Sequence, residues 1–296
     1  MEGLAHLRER LVARRQVVRS PVRLFVVLAF VLSWPIHLYG FGWYGYGPDA
    51  VLMRCLLSYA GMSMVALSAL IVRLFVEGKR FEDAGWNPGR PTWYLAALLF
   101  CLSLWLAPSL IALLLGQVAW NGEIDGGPLA VVILSLAGPS VVAGFGEEFG
   151  WRGYLLPRLL SGRYSVREVL SIVGIVWGVW HAPIALGPLL RGILEHASSW
   201  TLMIGPALLN CVQMTGACMA LSLIFGALWL RTQSIFLLSF FHGCLIGIRD
   251  ATAMMFVGRS PISVLVQAIL LIAAWLVASR WLGRYERGQS SPGGDG

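Results

Sequence analysis

Charge is scarce in this chain. Of 296 residues only 12% are Asp, Glu, Lys or Arg, while 57% are hydrophobic and the mean hydropathy is +0.73. A soluble domain carries roughly 25% charged residues. A globular fold of this length could bury a large core, but this composition would leave it without polar surface. An ordinary soluble protein is therefore excluded, and the chain is expected to be an integral membrane protein. Cysteine is also sparse. The five (Cys55, Cys101, Cys211, Cys218 and Cys244) lie inside apolar runs, with no CxxC and no Cys/His ligand spacing. That excludes a disulfide framework and a structural zinc site, and leaves the cysteines as small buried hydrophobes in helices. No HExxH occurs, and "GFG" and "GYG" lack the strand-to-helix context of a phosphate loop.

The net charge of +7 does not point to nucleic acid, because the arginines cluster in short stretches between apolar runs and never interleave with aromatics into a groove-like patch. About 20 apolar residues make one membrane span. On that measure eight helices are expected, near residues 22–39, 51–75, 93–117, 129–160, 165–186, 202–230, 234–248 and 262–282. The chain reads as an all-α polytopic membrane protein in one bundle. An Arg-rich cytoplasmic segment covers 1–21, the eight-span domain 22–283, and a flexible tail 284–296. The Arg-rich start resembles a signal peptide, but no clear small-residue cleavage site follows, so the first span is read as uncleaved.

Connecting stretches alternate in charge. Arg8, Arg10, Arg14, Arg15, Arg19 and Arg23 precede the first span; Arg73, Lys79, Arg80 and Arg90 follow the second; Arg158, Arg163 and Arg167 follow the fourth. The intervening "GWYGYGPDA" and "NGEIDGGP" have no Lys or Arg. The positive-inside rule then puts both termini in the cytoplasm. One Lys against 21 Arg suits a GC-rich bacterial genome and hence a bacterial inner membrane.

Against this apolar background "FGEEFGWRGYLL" stands out. Ser165 with Glu168 three residues later is a capping box, so the fifth helix is expected to start at Val166. Pro139 can kink or restart the fourth helix, which would then run unbroken to about Leu156 before Pro157 perturbs it. Helix rise then places Glu147 and His181 each about 20 Å from the cytoplasmic loop between them, and His242 about 12 Å into the seventh span. Ionisable groups at such depth are functional candidates by default. Glu148 and Arg152, at i,i+4, can pair on one face, while Glu147 points about 100° round the helix, where its setting suits proton transfer near neutral pH. The alternative is that "EEFGWR" is a solvated helix end, and that His181 and His242 are core histidines bonded to carbonyls. The joint placement of all three favours function. His37 reads as interfacial, His6 and His196 fall in polar or loop sequence, the tryptophans belong to interfacial belts and helix packing, and Asn210 reads as an interhelical hydrogen-bond group.

"EEFGWR", "WGVWH" and "FFHGCLI", in that order, resemble the CPBP family of CAAX prenyl endopeptidases and bacteriocin-processing or immunity proteins, over about 129–248. The family pattern is Glu-Glu-x-x-x-Arg, an aromatic-x-x-x-His, and His-x-x-x-Asn/Asp. Glu147, Glu148 and Arg152 complete the first motif, and Trp177 with His181 the second. The third has His242, but Ile246 stands where Asn or Asp is expected. The resemblance implies an intramembrane protease of glutamate type. Glu147 would be its general base, His181 the partner that shares the activated water, and His242 an oxyanion donor lacking its helper; Asn210 and Arg249 are candidate substitutes. A Glu147/His181/His242 zinc site is not excluded, but the expectation is no metal and no cofactor. The implied partner is a membrane-associated protein or peptide, with its identity and the oligomeric state left open. The alternative of another class is a non-catalytic scaffold or immunity-type protein of the same fold.

Overall fold

A computed structural model describes residues 2–43, 48–121, 129–162, 164–195, 200–258 and 260–290, with the side chains of 2–19, 43, 48–52, 129–137 and 288–290 outside the description. The order is α1 (Glu2–Leu38), α2 (Pro48–Ile71), α3 (Pro91–Leu114), β1 (Ala119–Trp120), α4 (Leu129–Gly150), α5 (Leu156–Leu160), α6 (Val166–Trp180), α7 (Ala182–Leu194), α8 (Ile204–Thr232), α9 (Ile235–Met255), β2 (Phe256–Val257) and α10 (Pro261–Ser290). Short π-helical turns follow α1, α2 and α4. Among the described residues seven helical segments are long and apolar enough to cross a membrane: Ser20–Gly42, Met53–Val76, Pro91–Leu114, Val166–Leu194, Trp200–Thr232, Ile235–Met255 and Pro261–Arg287. The expected fourth span corresponds to α4, whose first side chains lie outside the description. The protein is an all-α, multi-pass membrane protein.

Several expected boundaries move, each for a local reason. The fourth span does not stay α-helical to Leu156: a π turn occupies Trp151–Leu155, just ahead of Pro157. Proline lacks an N–H and its ring clashes with the carbonyl four residues back, which a widened turn relieves. The fifth span breaks at His181, which ends α6 and opens α7, with Pro183 in the first turn of α7. The seventh span runs on to Met255, because Arg249 Nε donates to Asp250 at 2.8 Å and the two charges neutralise each other on an exposed face. β1 and β2 then pair antiparallel. At the ends, helix covers most of the Arg-rich N-terminal segment and continues through Ser290; residues 291–296 of the expected tail lie outside the description, as do parts of "GWYGYGPDA" and "NGEIDGGP". The capping box is present as expected: Ser165 Oγ accepts from the Glu168 N–H at 3.3 Å, and the Glu168 carboxylate accepts from the Ser165 N–H at 2.7 Å.

The chain clusters into two compact units, each built from two stretches: Met1–Ala84 with Phe149–Ser222, and Gly85–Glu148 with Leu223–Gly296. In the first, α1 lies along α2, and Ser33 Oγ donates to the Gly61 carbonyl at 2.9 Å. His37, expected at the interface, is instead fully buried, since Gly61 has no side chain where the imidazole sits and Trp180 covers the ring edge-on at 4.7 Å. α6 meets α8 almost backbone to backbone. A Cβ on Gly178 would lie 2.5 Å from Thr215 Cα, and one on Gly174 would lie 2.7 Å from Met219 Cα. An ionic network, with Arg73 buried and Asp83 exposed, ties three segments of this unit together. Glu77 accepts from Arg73, Arg158 and Tyr154 at 2.8–3.2 Å, and Asp83 accepts from the same two arginines at 2.7 Å each. Two cations against two anions leave no net charge to bury.

In the second unit α9 packs on α3, and α3 on α10. Gly85, at φ +83°, turns the chain so that its carbonyl accepts from the Ile235 N–H at 2.7 Å, which secures the start of α9. Ser234 caps that helix, accepting from the Leu237 N–H at 3.1 Å. α4 and α9 approach closely at Gly144 and Gly243. A Cβ on Gly144 would stand 2.9 Å from the Ser239 carbonyl oxygen, and one on Gly243 would run into Val141 backbone. Without a hydrophobic driving force in lipid, such small-residue contacts are what let spans associate. Gly243→Ala should therefore lower thermal stability in detergent by about 1–3 kcal/mol through overpacking. Gly216→Ala, where nothing lies within 4 Å, should be neutral or stabilising by up to about 1 kcal/mol. Equal melting temperatures for the two variants would contradict this contact.

Candidate functional site

The α4–α9 contact explains the central pair. Glu148 is one helical turn beyond Gly144, and His242 is the residue before Gly243, so the glycine contact aligns the two side chains. His242 Nδ1 lies 2.8 Å from Glu148 Oε1, with Glu148 wholly buried and His242 3% exposed. Phe225 meets the imidazole edge-on at 5.9 Å and stacks on Phe241 at 4.6 Å, so ring and carboxylate are held from two sides. Glu147, in the same unit, is 1% exposed, and the expected alternative of a solvated helix end does not hold: every residue from Gly146 to Leu156 is buried. Ile246 follows His242 by one turn and is half-buried.

In the other unit Arg152, wholly buried, holds its guanidinium 4.5 Å from the Trp177 ring centroid. A cation over an indole face away from water is worth about 2 kcal/mol or more. His181 sits at the α6–α7 junction with Nδ1 2.9 Å from the Trp177 carbonyl oxygen and 3.7 Å from Cys218 Sγ. A carbonyl only accepts, so the close bond places the proton on Nδ1 and leaves Nε2 as an acceptor. Trp180 meets the His181 ring edge-on at 4.9 Å. Pro183 ties this geometry to the sequence, because it ends α6 at the residue that carries the imidazole.

Of the other expected residues, Asn210 is exposed on α8, and Arg249 is exposed and bonded to Asp250. Cys218 was legible only as one of five cysteines in apolar runs, of which Cys101, Cys218 and Cys244 are buried and Cys55 and Cys211 half-buried. Its position follows from the Gly174 and Gly178 contact with α8, which the spacing of four between those glycines could have signalled. Among the described residues no group of three or more His, Cys, Asp or Glu is placed to hold a metal ion.

The order of these groups along the chain can now be set against known proteins. Residues 128–246, less than half of the chain, match the family model described as type II CAAX prenyl endopeptidase Rce1-like. This segment belongs to the CAAX prenyl endopeptidase, or CPBP-like, family. It contains the first two motifs complete and His242 of the third, and its last matched residue is Ile246. No curated protein matches the chain. The aromatic of the second motif has a definite task in this CPBP-like segment, since Trp177 bonds His181 through its carbonyl and Arg152 through its ring. Trp177→Ala should cost about 3–5 kcal/mol in denaturant unfolding, and Trp177→Phe, which keeps an aromatic face, clearly less. Equal losses would show that Arg152 does not depend on the ring.

Proposed function

We propose that this protein is an intramembrane endopeptidase that hydrolyses a peptide bond in a membrane-associated protein or peptide. The observation that carries the proposal is the match over residues 128–246, which includes Glu147, His181 and His242 in the order and motif context of a protease family. The burial of Glu147 supports it, since a carboxylate is kept away from water in a membrane span only where it has work to do. Both termini are proposed to face the cytoplasm of a bacterial cell, from the arginine distribution.

In the proposed reaction Glu147 takes a proton from a water that it shares with His181, and the resulting hydroxide attacks the scissile carbonyl carbon. His181, with its proton held on Nδ1 by the Trp177 carbonyl, offers Nε2 to orient that water. Negative charge develops on the carbonyl oxygen and is stabilised by His242. When the C–N bond breaks, the proton held by Glu147 passes to the leaving amine. Arg152 and Trp177 keep the second-motif imidazole in place. No step is routed through a metal.

Ile246 favours a second proposal, a scaffold or immunity-type protein that kept the fold without the chemistry. An apolar side chain cannot stabilise an oxyanion, and one missing donor typically lowers the rate roughly 10²–10³-fold. The two proposals diverge in cells. Comparing the membrane proteome with wild-type protein and with Glu147→Ala should show substrates that accumulate uncleaved in the variant, at equal protein level. Full cleavage by Glu147→Ala would remove the peptidase proposal, and a phenotype retained by both Glu147→Gln and His181→Ala would favour the scaffold. Ile246→Asn should raise kcat on such a substrate by no more than about tenfold, because His242 bonded to Glu148 already offers a strong donor; a gain of roughly 10²–10³-fold would mean that the oxyanion lacks one.

A further inference from the structure

We propose that Glu148 is a positioning residue for His242, holding the proton on Nδ1 so that Nε2 is the ring atom presented to reacting groups, and that this pairing compensates for Ile246. The inference rests on the peptidase proposal above and extends it to Glu148. Its geometry is local to one unit. The 2.8 Å contact joins Oε1 of a wholly buried carboxylate to Nδ1 of a nearly buried imidazole, and the backbone approach at Gly144 and Gly243 fixes the separation of the two helices that carry them. Phe225 limits rotation of the ring from its other side.

The chemistry follows from the inventory of donors. An ionised carboxylate only accepts, so a neutral imidazole bonded to it through Nδ1 must carry its proton there and its lone pair on Nε2. A lone pair on Nε2 cannot stabilise an oxyanion, so in the working form Nε2 carries a second proton, taken from solvent; the cation then rests against the Glu148 carboxylate and its N–H is a charge-assisted donor, roughly twice as strong as a neutral one. A neutral amide at position 246 would have supplied one ordinary hydrogen bond. A charged imidazole donor held in a single orientation offsets that loss with residues this chain already has. Ile246, one turn along α9 and half-buried, then adds apolar surface beside the imidazole, where the low polarity strengthens the charged pair.

The test is the protonation pattern of the His242 ring. Full-length protein labelled with ¹⁵N-histidine is placed in lipid nanodiscs. The His242 signals are identified among the five histidines by their loss in His242→Gln. The expected result is a proton on Nδ1 in the wild type and transfer towards the Nε2-protonated tautomer in Glu148→Gln, with the other histidine signals unmoved as the control for folding. On a substrate identified by Glu147-dependent cleavage, Glu148→Gln should lower kcat roughly 10²–10⁴-fold with KM nearly unchanged, the scale seen when a triad aspartate is neutralised, and Glu148→Asp should recover part of it. A wild-type His242 protonated only on Nε2 would overturn the inference, as would His242 signals that ignore Glu148→Gln. Those outcomes leave the peptidase proposal intact if Glu147→Ala is inactive. If Glu147→Ala still cleaves, the peptidase proposal falls and the positioning role falls with it, whatever the tautomer.

Discussion

The contact on which most else depends is the approach of α4 to α9 at Gly144 and Gly243. Two residues without side chains let the helix backbones touch, and that separation is short enough for Glu148 to reach His242 at 2.8 Å. Without the contact, a carboxylate and an imidazole would each have to be buried separately, at a cost of several kcal/mol per charged group. With it, His242 Nδ1 and Glu148 Oε1 satisfy each other. The same device recurs in the other unit, where Gly174 and Gly178 admit α8 and bring Cys218 beside His181. Each imidazole of the proposed site therefore stands next to a helix pair that packs through glycine.

Around these contacts the chain places charge in closed sets. Arg73, Arg158, Glu77 and Asp83 balance one another, and Arg152 lies on the face of Trp177. Such sets give little net stability compared with an apolar core, but losing a partner of the buried Arg73 is expensive because its charge stays buried. That asymmetry restricts where the segments can lie. The segment from Trp151 to Leu160, which follows the two glutamates, is tied down through Tyr154 and Arg158 to Glu77.

Much of this was legible in the sequence. The apolar runs marked the spans, Ser165 and Glu168 marked the start of α6, and the motifs named Glu147, Glu148, Arg152, Trp177 and His242, all buried, and His181, half-buried. What could not be read were contacts set by helix packing rather than by neighbours along the chain. The i,i+4 spacing of Glu148 and Arg152 is a pairing that a sequence displays; the bond of Glu148 to His242 crosses 94 positions and is not. His37 looked interfacial from its aromatic neighbours, and only the glycine on α2 shows where its ring goes. The π turn at Trp151–Leu155 and the break at His181 both trace to prolines that were visible, Pro157 and Pro183, yet a proline alone does not say whether a helix bends, widens or stops.

The match over residues 128–246 ties this segment to a protease-like family, and Ile246 is the position where it departs from that family's pattern. The central claim is that Glu148 and His242 are energetically one group. A double-mutant cycle on unfolding stability, with Glu148→Gln, His242→Phe and both together, measures that directly. The account predicts a coupling energy of about 1–3 kcal/mol, with the double variant more stable than the sum of the single losses requires. Additivity within about 0.5 kcal/mol would contradict it.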